Sequence, residues 1–349
     1  MQRFIAKIGK GPKASKDLTW EEAKQAMRLL IEGQATPVQV GGFLMAMRIK
    51  MESVSELAAF TATAREYVAP VPAAPSPALV DLPAYAGKQE TFHAAVAAAI
   101  VAAAGGAFIL MHGYEAAPAR AGISAVLATL GVPVDREPRR VAEDLAAKGF
   151  AYLDIALYHP PIARFLDLRQ ELGVRTLFHP VARMLNPARA ASQVIGISHP
   201  PYFDKVTEAL RILGCQRALV LRGVEGDPEL SISSVTKVLE IRDDRLLPLS
   251  LHPKDVGLTS GSFQSMAGFP PSQADQEAAL LRRIITNEFQ GSQRDWVVLN
   301  AAMLLYAAGK ALSISAAVPG AQRLLESGAA ARKLSELTAT SITSGVSAA

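Results

Sequence analysis

From residue 79 onward, short apolar runs alternate with longer helical patterns, and this alternation limits the folds open to the chain. The strand-type runs are Leu79–Leu82, Ala107–Met111, Phe150–Leu153, Val194–Ile197 and Ala218–Leu221. The helical patterns are Thr91–Ala104, Gly122–Leu130, His159–Leu172, Gln276–Gln290, Trp296–Ala308, Ser313–Ser327 and Ala329–Leu337. Nearly continuous apolar strands are typical of a sheet that is buried on both faces. We therefore predict an α/β fold with a mostly parallel sheet flanked by helices.

The first 70 residues show a different pattern, that of a small helical domain. Thr19 and Glu22 form a capping-box signature, and two more helices are predicted after Thr36 and near Ser53. The stretch Ala69–Pro77 has four prolines in nine residues, which favours a hinge. We predict a helical domain over residues 1–70, completed by about 159–185, a hinge at 71–78, and an α/β domain over 79–158 and 186–349.

Cysteine use and hydropathy bear on the compartment. Cys215 is the single cysteine, so an intrachain disulfide framework is excluded and a buried, inert thiol is expected. No secretory signal is visible at the N-terminus, and we predict a cytoplasmic protein. The one membrane-like stretch is Ala94–Met111, which Gly105 and Gly106 divide. A buried helix followed by a strand is the preferred interpretation of that stretch, with no membrane contact.

The formal charge is only +4, but its cations are unevenly placed. Lysines precede the first acidic residue at positions Lys7, Lys10, Lys13 and Lys16. Further arginines are expected near the predicted cleft at Arg120, Arg139, Arg140, Arg164, Arg175, Arg183 and Arg189. Two interpretations stay open: a surface that binds a polyanion, or ordinary solvated charges.

An acidic loop follows the strand that ends near Leu221. Gly223 and Gly226 mark a turn that brings Asp227 and Glu229 close together. Carboxylates on a loop after a buried strand suit a hydrated Mg²⁺. Pro228 stands between them and offers no side-chain oxygen. An exposed, unliganded Glu229 is the simpler alternative.

Several segments in order resemble the family-3 glycosyltransferases, which include anthranilate phosphoribosyltransferases and nucleoside phosphorylases. These segments are Val40–Lys50, His112-Gly113, Leu168–Gly173, Asn186-Pro187, the loop Gly223–Ser231 and Leu299–Ala302. The resemblance covers nearly the entire chain. It implies a helical domain hinged to an α/β domain, with the substrate cleft between them.

The chain departs from that family where phosphate is handled. The family's glycine-rich G-T-G-G-D loop corresponds here to Leu82–Gly87, which keeps one glycine and adds a proline. Its N-I-S-T helix start corresponds to His93–Val96, and its K-H-G-N becomes Met111–Tyr114. Pro228-Glu229 replaces the family's metal-binding Asp-Glu pair. By this comparison, most of the groups that bind pyrophosphate in the family are absent. Their joint loss matters because transfer needs pyrophosphate and Mg²⁺ to be held together.

A few counterparts remain, each with two interpretations. Arg169 matches the arginine that faces the acceptor carboxylate, or it pairs with Asp167 or Glu171 on its own helix. His112 is a candidate catalytic residue or a hydrogen-bonded turn residue. Arg120 is a substitute for a lysine of the family. Mg²⁺ is the only cofactor that the resemblance implies.

The segments Phe4–Lys13 and Arg48–Glu52 are similar to a divergent bacterial branch of this family. That branch implies a homodimer, paired through the helical domain, that binds nucleic acid without sequence preference. We predict such a binder, with Lys7, Lys10, Lys13, Lys16, Arg120, Arg169 and Arg175 as the phosphate-binding residues. The alternatives are a Mg²⁺-dependent phosphoribosyltransferase with an unidentified aromatic or heterocyclic acceptor, and a ligand sensor without turnover.

Overall fold

The computed structural model describes residues 1–11, 13–74, 76–84, 91–115, 122–224, 229–269 and 273–339. The first helices are α1 Gln2–Ile8, α2 Trp20–Ile31, α3 Pro37–Lys50, α4 Val54–Glu66, α5 Ala94–Ala104, α6 Ile123–Leu130, α7 Pro138–Lys148 and α8 Ile155–Tyr158. The later helices are α9 Pro160–Leu172, α10 Phe178–Arg183, α11 Tyr202–Ile212, α12 Ala274–Ile285, α13 Ser292–Ala307, α14 Ile314–Glu326 and α15 Ala329–Thr338. The strands are β1 Leu79–Pro83, β2 Phe108–Gly113, β3 Phe150–Asp154, β4 Ser192–Gly196, β5 Arg217–Arg222, β6 Thr236–Arg242 and β7 Arg245–Leu251.

The N-terminal helices begin where their capping residues predict. Thr19, Thr36 and Ser53 each accept a hydrogen bond from the backbone N–H three residues later, and each completes a capping box. Helix α3 buries Phe43, Leu44 and Met47, and α4 buries Leu57, Phe60 and Ala64. Phe43 meets Phe60 edge to face, with ring centroids 6.3 Å apart. The small helical domain that the sequence predicts is therefore present.

The sheet has the strand order β3-β2-β1-β4-β5-β6-β7. All pairs from β3 through β5 are parallel, and the two pairs that join β6 and β7 are antiparallel. The predicted α/β class with a mostly parallel sheet is thereby confirmed. Strand order reverses between β1 and β4, and open α/β sheets bind ligands at the carboxyl ends of strands beside such a switch point.

Two apolar cores lie against the sheet. One contains α5 and the C-terminal helices α12 to α15, and the other contains the helical domain together with α9, α10 and α11. Helix α5 is built almost entirely from buried alanines, and it contacts α13 closely. The segment Ala94–Met111 is thus a buried helix and strand, as predicted, and no helix in the described part of the chain has the length and apolar character to cross a membrane.

The structure corrects several sequence-based boundaries. Helix α5 begins at Ala94 rather than Thr91, because Thr91 instead forms an isolated antiparallel bridge with Ala267. Strands β6 and β7 were not predicted, since polar residues interrupt both of them and β7 is mostly exposed. Helices α1, α7, α10 and α11 were also missed, because they are short or join strands whose signal dominated the pattern.

Two backbone hydrogen bonds tie the hinge segment to later parts of the chain. Ala69 N–H donates to the Tyr158 carbonyl at 2.8 Å, and Val71 N–H donates to the Pro187 carbonyl at 3.5 Å. Residues 68–74 contain no helix or strand, as the prolines of the stretch Ala69–Pro77 lead one to expect. The contacts place the hinge beside the chain that closes the helical domain.

Candidate functional site: an arginine-lined cleft

A cleft of about 300 Å³ lies beyond the carboxyl end of β4, where the helical domain meets the sheet. Its arginines are Arg48, Arg169, Arg175 and Arg183, and His179 and His199 also line it. Apolar walls come from Val174, Pro180, Ile197 and Tyr202. None of the described residues that line it is acidic. We call this site the arginine cleft.

Local backbone geometry brings these arginines together. Arg169 lies in the last turn of α9, which ends at Gly173 with φ +68°. A left-handed residue at this point reverses the chain, and glycine adopts it without a Cβ penalty. The reversal returns Arg175 to the same cleft, where its Nη1 donates to Ser198 Oγ at 3.0 Å. Arg183 lies on α10 and its Nη1 donates to the His179 carbonyl at 3.1 Å.

The histidines report the positive potential of the arginine cleft. Burial, together with the charges of Arg183, Arg175 and Arg169, lowers the pKa of His179 to about 3. The ring is therefore neutral, and its Nδ1 accepts from the Thr176 N–H at 3.1 Å. At the rim, partial burial and the charges of Arg48 and Arg175 lower the pKa of His199. Positive charges that act on both rings favour an anionic ligand.

Arg169 is available to such a ligand. Asp167, one of its predicted helix partners, accepts the Tyr114 hydroxyl at 2.8 Å instead. Within the described residues Arg169 forms no ion pair, and its guanidinium lines the arginine cleft. A guanidinium in this setting suits bidentate binding of a carboxylate or a phosphate.

Arg48 and Tyr202 complete the wall, and the sequence did not single them out. Tyr202 donates to the buried Glu52 Oε2 at 2.5 Å, and burial raises the pKa of both groups. The charge of Arg48 acts in the opposite direction on Tyr202 and lowers its pKa. The signal for Arg48 was present in the helical periodicity of α3, where it lies off the face that buries Phe43 and Met47.

The other candidate region is the N-terminal end of α5, which corresponds to the N-I-S-T element. The Glu229 carboxylate is buried, and its Oε1 accepts from the Ala95 N–H at 2.8 Å. The Glu277 Oε1 accepts from the His93 N–H at 2.7 Å and lies 2.7 Å from His93 Nδ1. Two carboxylates of the chain therefore occupy the place where a helix N-terminus binds anions. We call this group the carboxylate cap.

The remaining N–H groups of the first turn are also bonded. The Ala94 N–H donates to the Phe92 carbonyl at 3.1 Å, and the Val96 N–H donates to the His93 carbonyl at 3.2 Å. Helix termini normally leave these donors open for a ligand or a capping group. Every one of them has a partner within the protein here, which leaves no donor in this turn for an incoming pyrophosphate.

The loop that carries Glu229 is fixed from α13. Asn300 Oδ1 accepts from the Leu230 N–H at 2.7 Å, and the Trp296 indole donates to the Leu230 carbonyl at 2.7 Å. These bonds give the Leu299–Ala302 segment a structural role, since Asn300 anchors the backbone of the acidic loop at Leu230. Glu229 is 1% exposed rather than exposed as the simpler interpretation expected.

Glu229 and His112 are the metal and catalytic candidates that the structure describes, and they lie on different elements. Asp227 and Arg120 lie outside the described residues. Within the part of the chain that is described, no three His, Cys, Asp or Glu side chains are placed to hold a metal ion. His112 is fully buried in β2, with Nε2 3.1 Å from Asp81 Oδ1 and Nδ1 2.9 Å from the Tyr158 hydroxyl. It does not line the arginine cleft, so the hydrogen-bonded interpretation of His112 fits this placement.

The basic N-terminal residues form an arm beside α3. Helix α1 buries Phe4 and Ile8 and packs against α3, the helix that carries Arg48. Lys7 is paired with Glu22, which reduces its availability. Lys10, Lys13 and Lys16 are exposed on the segment after α1. Three of the four predicted lysines are therefore exposed to solvent.

Comparison with known proteins agrees with this architecture. Residues 2–68 match the helical bundle domain of the glycosyl transferase family, and residues 78–331 match its a/b domain. Anthranilate phosphoribosyltransferase of Methylibium petroleiphilum is 35% identical over 326 residues, 93% of this chain and 94% of that protein. The same enzyme of Methanocorpusculum labreanum is 33% identical over 335 residues, covering 96% and 97%.

Solved structures show the same relation. Anthranilate phosphoribosyltransferase from Thermus thermophilus superposes with a TM-score of 0.84 at 34% identity, covering 96% of this chain and 99% of that one. The Saccharomyces cerevisiae enzyme, solved with phosphoribosyl pyrophosphate and Mg, shares the fold with a TM-score of 0.83 at 20% identity, covering 97% of this chain and 96% of that one. The chain belongs to the family-3 glycosyl transferases and is anthranilate phosphoribosyltransferase-like.

Proposed function

We propose that this protein binds the phosphate backbone of nucleic acid, without sequence specificity, in the arginine cleft. The observation that carries the proposal is the charge of that cleft, in which four arginines converge and no acidic residue is present among the described lining. Backbone binding of this type relies on arginine and lysine contacts to phosphates and releases counterions. The exposed lysines of the N-terminal arm add contacts on the helical-domain side.

The carboxylate cap supports a binder over a transferase. An enzyme of this family would need the α5 N-terminus and Glu229 for pyrophosphate and Mg²⁺. In this chain Glu229 already bonds to the Ala95 backbone, and alanine stands where the family has the serine of N-I-S-T. A pyrophosphate would have to displace Glu229 and Glu277 and break their hydrogen bonds.

Phosphoribosyl transfer to an aromatic or heterocyclic acid is the second candidate, and the names of the relatives favour it more directly than the first. Relatives at 33% to 35% identity over nearly the full length are anthranilate phosphoribosyltransferases. Arg169 would face the acceptor carboxylate in a cleft of about 300 Å³, which suits a small aromatic acid. Asp227 and Glu229 would hold Mg²⁺ once Glu229 left the α5 N-terminus.

A homodimer through the helical domain also belongs to the proposal. One face of α3 exposes Val38 and Ile49, which are 85% and 67% exposed, with Gly42 between them. An apolar face with a glycine allows a second copy to approach closely, and a two-fold interface would pair the same patch from each protomer. Two copies would double the arginines and lysines offered to one polyanion. A cytoplasmic location accords with this role and stays a prediction.

The deciding experiment titrates the protein into labelled single-stranded and double-stranded DNA at several salt concentrations. Phosphoribosyl pyrophosphate with Mg²⁺ serves as the competitor. We expect binding that ignores base sequence, weakens steeply with salt and is unaffected by the competitor. Absence of DNA binding, together with saturable and Mg²⁺-dependent binding of phosphoribosyl pyrophosphate, would overturn the proposal in favour of the transferase.

A further inference from the structure

A second cavity, of about 580 Å³, lies at the amino ends of the parallel strands, whereas the arginine cleft lies beyond their carboxyl ends. It is bounded by the C-terminal end of α4, the start of β4 and the turn that precedes β5. The two cavities share no lining residue. We call the second one the hinge cavity, because Pro70 of the hinge segment lines it.

Arg65 brings a positive charge to the hinge cavity. Its Nε and Nη2 donate to the Met184 carbonyl at 2.9 and 2.7 Å, which fixes the plane of the guanidinium. Burial lowers the pKa of Arg65, while Asp81 and Cys215 oppose that effect. Among the described residues Arg65 has no ion-pair partner and its Nη1 donates no hydrogen bond. A largely desolvated cation without a paired anion is costly, and an anionic ligand would offset that cost.

Gln193 adds a hydrogen-bond acceptor to the hinge cavity, whereas Arg65 is a donor. It is 2% exposed, and its Nε2 donates to the Cys215 Sγ at 3.1 Å. Its Oε1 is buried and has no hydrogen-bond partner within the described chain. A buried amide oxygen normally finds a donor, and its absence calls for a ligand group or a water in that place. A hydroxyl group of a ligand would donate the missing hydrogen bond to Gln193 Oε1.

The rim carries a second cation in an unusual backbone conformation. Arg189 has φ +51° and is exposed. The conformation is held by Asn186, whose side chain accepts from the Ala190 N–H at 2.7 Å and donates to the Ala190 carbonyl at 3.0 Å. Non-glycine residues in the left-handed region persist where the surroundings enforce them, often at binding sites. Glu66 also lines the cavity, but its carboxylate is paired with Arg28 at 3.1 Å.

We infer that the hinge cavity binds a small organic anion that carries a hydroxyl group. Its carboxylate or phosphate would meet Arg65 and Arg189, and its hydroxyl would donate to Gln193 Oε1. The ligand would join α4 of the helical domain to β4 of the α/β domain, so that occupancy would stabilise one arrangement of the two domains.

Cys215 makes the inference testable, since it is the single cysteine of the chain and lines the hinge cavity. The rate of its alkylation by a maleimide reports whether the cavity is occupied. Burial raises the pKa of the thiol, so all rates are measured at one fixed alkaline pH. The probes are glycerol 3-phosphate, malate and succinate at millimolar concentrations. Malate and succinate differ by one hydroxyl group, which isolates the role of Gln193.

We expect glycerol 3-phosphate or malate to slow alkylation several-fold and saturably, with succinate much less effective and chloride of equal ionic strength without effect. Arg189→Ala and Arg65→Lys should weaken the protection. Arg169→Glu, in the arginine cleft, should leave it unchanged. Absence of protection by both hydroxylated anions, or equal protection in the wild type and Arg189→Ala, would overturn the inference. Loss of protection in Arg169→Glu would also overturn it, by placing the anion in the other cavity.

Discussion

The carboxylate cap and the arginine cleft both lie at the carboxyl ends of the parallel strands, but they differ in charge. At the cap, Glu229 and Glu277 satisfy the backbone donors that begin α5. In the cleft, arginines converge and the described lining contains no carboxylate. One region contains its own anions, and the other contains none among its described lining residues.

The two regions differ in local chemistry although the family architecture is unchanged. A few substitutions, such as alanine at position 95 and proline at 228, remove partners for metal and pyrophosphate. The surviving Glu229 then bonds to the helix that would have held the phosphate. The cleft between the domains is retained and remains strongly cationic.

Charge reversal in the cleft should produce the largest effect. Arg169→Glu removes one phosphate contact and adds repulsion, and we expect the affinity for single-stranded DNA to fall by on the order of 30-fold, about 2 kcal/mol. Fluorescence anisotropy at fixed salt measures it. Arg139→Glu makes the same charge change on the exposed face of α7, outside the cleft, and should matter little. Equal losses in both variants would show that only net charge matters.

Opening the carboxylate cap should have the next largest effect. Glu229→Ala leaves the Ala95 N–H without its acceptor, so the free energy of unfolding should fall by about 1 kcal/mol, the usual size of a lost N-terminal cap. Urea unfolding with and without pyrophosphate checks this. We expect pyrophosphate to stabilise the variant and not the wild type. Glu326→Ala, which removes an exposed carboxylate, is the control. Equal stabilisation of the wild type would mean that the cap is not closed.

The N-terminal arm should contribute through salt dependence. The three exposed lysines to be replaced together by glutamine are Lys10, Lys13 and Lys16. The slope of log affinity against log salt should become shallower by about one for each lysine that contacts phosphate. The control replaces three exposed lysines of the α/β domain, namely Lys237, Lys254 and Lys310. An unchanged slope in the arm variant would assign all phosphate contacts to the cleft.

The smallest effect should come from pH. The pKa of His199 is depressed below its ordinary value of 6.5 by partial burial, Arg48 and Arg175, so the ring is neutral near pH 7. A bound polyanion favours its protonated form, so the affinity should be constant from pH 7 upward and rise as pH falls through that pKa. One exposed charge contact should change the affinity by about threefold. Binding titrations across pH should show this rise in the wild type and not in His199→Gln.

The sequence predicted the fold well because its signals were local. Capping boxes at Thr19, Thr36 and Ser53 mark helix starts through contacts within four residues, and the apolar runs of β1 to β5 depend on burial alone. Strands β6 and β7 escaped because one exposed face mixes polar residues into the pattern.

The site was only partly predictable, since its groups meet across long stretches of chain. Arg169 was identified from the family pattern and Arg175 as one of the arginines expected near the cleft, and the two lie together there. The bond from Ala95 to Glu229 joins residues 134 positions apart, and that from His93 to Glu277 joins residues 184 apart. No spacing rule links such pairs, so the buried, bonded state of Glu229 could be learned only from the structure.

A crystal structure of the protein soaked with a short single-stranded oligonucleotide, and of a second crystal soaked with phosphoribosyl pyrophosphate and Mg²⁺, would test the central claim most directly. We predict phosphate density against Arg169 and Arg175 in the first crystal, and Glu229 still bonded to the Ala95 N–H in the second. Pyrophosphate at the start of α5, with Glu229 turned toward a metal ion and an empty arginine cleft in the first crystal, would contradict the account.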